Sequence, residues 1–139
     1  MQDCSFCALI TETDHPARIV SLEHSVALLH VDQTYPGWCT VISKQHYDHL
    51  HEMPDALAAG LLAEVRRVAA AQWKVLTPDR LNYACLGNMV AHVHWHLIPR
   101  YEGDPNWGDA PWPIAAETHL DRAEYVELAA KLAEAIAHP

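Results

Sequence analysis

The chain has 139 residues, half of them hydrophobic, which suits one globular core and excludes a disordered chain. Nine Lys and Arg against 18 Asp and Glu give a formal net charge of −9; this excludes the basic face that nucleic-acid polymers need, but not a small phosphorylated ligand in a locally positive pocket. No run approaches the roughly 18 apolar residues of a membrane span, and no basic and apolar leader opens the chain. The expectation is a cytoplasmic protein with no membrane partner, whose cysteines are reduced thiols or metal ligands.

Cys4-Ser5-Phe6-Cys7 comes first. A CxxC pair by itself is a redox couple, half of a zinc site, or chance. The redox reading wants a helix start, which Phe6-Cys7-Ala8 does not clearly supply. Residues 17–22 and 25–31 read as strands joined by a tight connection at Glu23-His24. Asp32 closes the second of them. The turn signal Pro36-Gly37 leads into a third strand, 38–43. His46, His49 and His51 follow, the last two read as solvated. Between 55 and 75, Leu57, Leu61, Leu62, Val65 and Val68 recur at helical spacing, with Pro54 in the first turn and Pro78 beyond the end. Strands at 80–85 and 92–99 flank Gly87-Asn88. A second helix spans 122–137, with Asp121 as its N-cap. Strands in sequential runs with one helix inserted predict an α+β domain: an antiparallel sheet of about five strands, a long central helix and a C-terminal helix.

The segment "MVAHVHWHLIPRY" carries the chemistry. Side chains alternate faces along a strand, so His92, His94 and His96 share one face and Val93, Trp95 and Leu97 point to the core. Three alternating histidines are poorly explained as a merely exposed strand. Two functional readings remain: imidazoles converging on a metal, or a neutral imidazole attacking phosphorus while its neighbours bind phosphate oxygens.

His92-Val93-His94-Trp95-His96-Leu97-Ile98 resembles the motif of the histidine-triad (HIT) family, His-φ-His-φ-His-φ-φ, at every position, and Pro99-Arg100 is common after it. The likeness extends to Cys4-Ser5-Phe6-Cys7, to "GWCTVISKQH" from Gly37 to His46, and to "NYACLGNM" from Asn82 to Met89, where the family carries its nucleotide loop. Both the Hint and fragile-histidine-triad branches are similar. This likeness implies a HIT fold over a single domain, 1–139, with its motif region at about 4–101 and an extension at 102–139. Four departures stand out. Trp38 sits where the family usually has His, Ser43 replaces the usual Pro, the loop before the triad is about one residue shorter, and "YEGDPNWGDAPWP" is rich in Trp and Pro.

The resemblance assigns roles. His94 would be the nucleophile, its other ring nitrogen donating to a backbone carbonyl. His96 would bind phosphate oxygens and help the leaving group, and His92 would hold the site together. Asn88 would help hold the phosphates and leaving group, Asn82, matching the polar residue at the start of the same loop, would also bind substrate, and Asp32 would bind the ribose hydroxyls. Some members complete a Cys₂His₂ structural zinc with residues at the positions of Cys4, Cys7, His46 and His92, and no catalytic metal or organic cofactor is implied. Trp95 and Trp73 are read as structural, while Trp107 and Trp112 lie within reach of closing a pocket. The implied substrate is a dinucleoside polyphosphate or a nucleoside phosphoramidate, and the implied assembly a two-fold homodimer through the 55–75 helix. The rivals are a metal hydrolase with the triad as ligands, and a zinc-stabilised nucleotide-binding interaction protein with little turnover.

Overall fold

The computed structural model describes residues 3–139; Met1 and Gln2, part of the segment searched for a leader, lie outside them. Five strands form one antiparallel sheet in the order β1-β2-β3-β5-β4. They are β1 Arg18–Ser21, β2 Ser25–Leu29, β3 Cys39–Ser43, β4 Arg80–Ala84 and β5 His94–Arg100. Three helices accompany them: α1 Ser5–Thr11, α2 Asp55–Leu76 and α3 Arg122–Ala137. The α+β architecture expected from the sequence is the one observed.

The two long helices cover one face of the sheet. Leu61, Val65, Val68 and Ala69 of α2 and Leu132 and Ile136 of α3 bury against Ala27, Leu29, Cys39, Val41 and Leu97. Each side chain removed from water there contributes on the order of 1.5–3 kcal/mol. Gln72 locks α2 to the sheet, its Nε2 donating to Gly37 O at 2.8 Å and Leu97 O at 3.0 Å. Thr77, in the left-handed region at φ 46°, terminates α2 just before Pro78. Asp121 caps α3 as expected, accepting from Glu124 N at 2.9 Å. Of the predicted α2 stripe, Leu62 is exposed, and so is Trp73, contrary to its expected structural role.

On the opposite face α1 lays Phe6, Leu9 and Ile10 over Val26, Leu28 and Ile42. Farther along, the segment after β5 lays Trp112 and Ile114 over Tyr35, Trp38 and Ile98. Arg100, almost wholly buried, holds that segment down. Its guanidinium pairs with Asp104 at 3.2 Å and donates to the carbonyls of Asn106 and Asp109. The sheet is left open between these two covers, and the histidines stand in that gap. Among the described residues no helix is long and apolar enough to cross a membrane.

α1 corrects the sequence reading. A helix does start at the CxxC pair, with Cys4 as its N-cap residue and Cys7 in its first turn. Seven residues gave too little periodicity to register. β5 also begins two residues later than expected, at His94. The Ser43 carbonyl at the end of β3 accepts from the His92 ring, which ends the ladder there.

Candidate active site

The register of β3 against β5 sets Thr40 beside His96 and Ile42 beside His94. His94 and His96 therefore share the open face, their ring centroids 5.0 Å apart. They form one wall of a cavity of about 600 Å³, whose lining also includes Phe6, His30, Asp32, Trp38, Asn88, Trp112 and Glu117. A smaller apolar cavity of about 360 Å³ adjoins it, sharing Phe6 and His30 and bounded by Leu9, Leu28, Thr40 and Ile42.

His94 Nδ1 lies 2.6 Å from His92 O. A carbonyl only accepts, so the proton sits on Nδ1 and the lone pair on Nε2. Phe6 meets the His94 ring edge to face at 4.6 Å between centroids. Burial pushes the pKa of His94 down, which favours the neutral ring a nucleophile needs. His96 is pushed down to about 3, first by burial, then by its neighbours His94 and His30. Its Nδ1 accepts from the indole N–H of Trp38 at 3.1 Å.

His92 faces elsewhere. Its Nε2 donates to Ser43 O at 2.7 Å, which leaves the Nδ1 lone pair aimed at Cys4 Sγ (3.4 Å) and Cys7 Sγ (3.6 Å). His46 is arranged alike: Nε2 meets Asp48 at 2.9 Å, and Nδ1 stands 3.3 Å from Cys7 Sγ. The Asp48 hydrogen bond raises the His46 pKa, as a carboxylate behind a ligating imidazole does. The ligand atoms of Cys4, Cys7, His46 and His92 all lie within 4.8 Å of one another. Ligands at roughly 2.0–2.3 Å from a tetrahedral zinc stand about 3.5 Å apart, so donor chemistry, tautomers and spacing all fit that ion.

The remaining sequence candidates separate. Asn88 reaches the cavity wall, next to Gly87, whose φ of +95° turns the chain there. Asp32 also lines the cavity, but its Oδ1 accepts from Thr34 N, Thr34 Oγ1 and Thr118 N, tying β2 to the segment before α3. Burial opposes its charge; those hydrogen bonds and His30 outweigh it and hold the carboxyl below its ordinary range. Asn82 is not in the cavity: it sits on β4, and its Oδ1 accepts from Arg100 at 2.8 Å. Trp95 packs against the helix side of the sheet and Trp112 closes the cavity, whereas Trp107 is exposed outside it. His49 and His51 are exposed, their rings stacked at 5.6 Å.

Sequence reasoning missed Phe6 as a wall of the site, and it missed His30. The ring of His30 stacks on Trp38 at 3.9 Å between centroids. Its signal was present, since His30 follows Leu28 by two and so faces the same side.

The buried imidazoles carry a pH dependence. Between its ordinary 6.5 and about 3, His96 is protonated in the unfolded chain but not in the folded one. His30, His92 and His94 shift the same way through burial. The fold should therefore lose stability as pH falls from about 6.5 towards 3. Melting temperatures across that window are expected to drop steadily, with a shallower slope for His96→Asn; equal slopes would contradict the assignment.

A family model described as HIT domain matches residues 12–103, more than half of the chain. An adenosine 5'-monophosphoramidase of Saccharomyces cerevisiae is 32% identical over 133 residues, covering 93% of this chain and 82% of that protein. Among solved structures, a histidine triad protein from Marinobacter aquaeolei VT8 matches with a TM-score of 0.82 at 26% identity, covering 98% of this chain and 96% of that one. A zinc-bound histidine triad family protein from Mycobacterium smegmatis matches with a TM-score of 0.74 at 28% identity, covering 97% and 94%. The order of strands, the alternating histidines and these matches agree, and the chain belongs to the HIT domain family.

Proposed function

We propose that this protein is a nucleotide hydrolase or nucleotidyl transferase. It would cleave at the α-phosphate of a dinucleoside polyphosphate or nucleoside phosphoramidate, through a nucleotidyl-histidine on His94. The observation that carries this reading is the 2.6 Å hydrogen bond from His94 Nδ1 to His92 O. It sets the lone pair on Nε2 of a ring that lines the cavity. Attack forms an Nε2–P bond as the bond from phosphorus to the leaving group breaks. Water then displaces His94 and releases the nucleoside monophosphate. His96 beside it binds phosphate oxygens and assists departure, and Asn88 supports the same end of the cavity. Asp32 retains Oδ2, to which no donor among the described residues is assigned, as an acceptor for a sugar hydroxyl. The 102–121 segment belongs to the working unit, since it supplies Trp112 and Glu117 to the cavity.

Naming of relatives as adenosine 5'-monophosphoramidases supports this class of substrate. The rival in which the three triad rings bind a catalytic metal loses support, because His92 turns its lone pair to the cysteines and His94 spends Nδ1 on a carbonyl. A structural zinc on Cys4, Cys7, His46 and His92 would pin α1, and with it Phe6, over the site. The four free cysteines suit the cytoplasmic setting expected from the sequence. The expected homodimer would cover Leu62 and Trp73, exposed about three turns apart on one face of α2.

Rapid quench with adenosine 5'-phosphoramidate labelled at phosphorus tests the reading. An acid-labile, base-stable adduct should form within one turnover and map to His94. An adduct on His92 or His96, or turnover with no adduct, overturns it.

A further inference from the structure

We propose that Trp38 is a positioning residue that fixes which nitrogen of His96 carries the proton, making His96 Nε2–H a standing donor towards the leaving atom. This rests on the phosphoryl-transfer reading above. An indole N–H only donates, and a neutral imidazole has one N–H and one lone pair. The 3.1 Å bond from Trp38 Nε1 to His96 Nδ1 therefore requires the lone pair on Nδ1 and the proton on Nε2. No protein partner for Nε2 is found among the described residues, and the ring lines the cavity.

The indole cannot turn away from this duty. Trp38 is 1% exposed. His30 stacks on it within 9° of parallel, and Tyr35 and Trp112 meet it edge to face at 6.3 and 5.7 Å. The family's usual histidine at this position could donate or accept, so it would leave His96 free to exchange tautomers; tryptophan removes that freedom. The two neighbouring rings are then set in opposite senses. His94 is held by an acceptor and offers a lone pair, whereas His96 is held by a donor and offers a proton. Burial keeps the His96 ring neutral, so it serves as a hydrogen-bond donor and not as a cationic acid.

The test uses the whole chain with ¹⁵N-labelled histidine and tryptophan. Wild type should show His96 protonated on Nε2 alone, with a coupling across the hydrogen bond between Trp38 Nε1 and His96 Nδ1. Site-specific replacement of Trp38 by benzothienylalanine keeps the ring's shape and lacks the N–H. That variant should show mixed His96 tautomers. Its kcat on an alkylamide of AMP should fall about three- to tenfold, the size of one neutral hydrogen bond, with KM within twofold. The loss should shrink on the p-nitrophenyl ester of AMP, whose leaving group needs little help. Trp38→His should regain part of the kcat. A wild-type proton on Nδ1, a missing coupling, or an isostere with wild-type kcat overturns the proposal. So does an isostere that loses kcat equally on both substrates while His96 keeps its tautomer, which marks packing alone. The spectra need no turnover, so if the tautomer is as stated but no adduct forms on His94, only the underlying functional reading fails.

Discussion

His94→Ala is expected to lose turnover by on the order of 10³-fold or more while keeping the fold and nucleotide affinity. The substitution removes a cavity-lining ring whose lone pair is on Nε2, and neither other triad ring can replace it. His96 presents its lone pair to Trp38, and His92 presents its own to the cysteines. The cavity loses one ring of many in its lining, so calorimetry should give a nucleoside monophosphate affinity within a few-fold of wild type. The truncated side chain leaves the His92 carbonyl without its 2.6 Å partner, a modest cost beside water. Activity within tenfold of wild type would remove His94 from the nucleophile's role, since neither His92 nor His96 has a lone pair free to attack.

Joint replacement of Cys4 and Cys7 by Ser should release about one zinc per chain and lower stability by about 3 kcal/mol or more, on the order of 10 °C in Tm at this size. The reason is local. α1 has seven residues, too few to persist alone, and its attachments are the Phe6, Leu9 and Ile10 contacts and the Cys₂His₂ cluster. Turnover per folded molecule should fall less than tenfold, because the His92 carbonyl that orients His94 belongs to a backbone also held by Val93 N on Tyr47 O and Ser43 N on Val93 O. Elemental analysis with a thermal melt decides it. A double variant that keeps both its zinc and its Tm would show that the four residues do not form a metal site.

The parts of the fold that were legible from the sequence are those with strong local periodicity. The α2 and α3 spans, the Asp121 cap and the stop before Pro78 appear close to where expected, since each depends on neighbours within a turn, although Leu62 of the α2 stripe is exposed. α1 was not legible because seven residues show barely two turns of pattern. Trp73, expected to be structural from its place near the end of a helix, is exposed, because position along a helix does not say where a neighbouring element ends. The site divides in the same way. Strand alternation put His94 and His96 on one face, and the four metal-ligand positions came from likeness to a family.

The sequence by itself determined that His94 and His96 would arm one face of a strand; His92, expected on the same face, instead precedes β5 and turns to the Cys and His cluster beside them. Only the tertiary structure decided how the protons are distributed among them. Hydrogen-bond direction depends on what stands opposite each ring: Ser43 O against His92, His92 O against His94, and the Trp38 indole against His96. Ser43 and Trp38 lie 49 and 58 residues from the rings they meet and reach them through the pairing of β3 with β5, whereas the His92 carbonyl is two residues from His94. The β4–β5 register gave Asn82 to Arg100 and kept it from the cavity, while folding of the distant 102–121 segment brought Trp112 to the cavity. A polar side chain's role follows from its partner, and pairings over such separations are set by packing, not by local sequence.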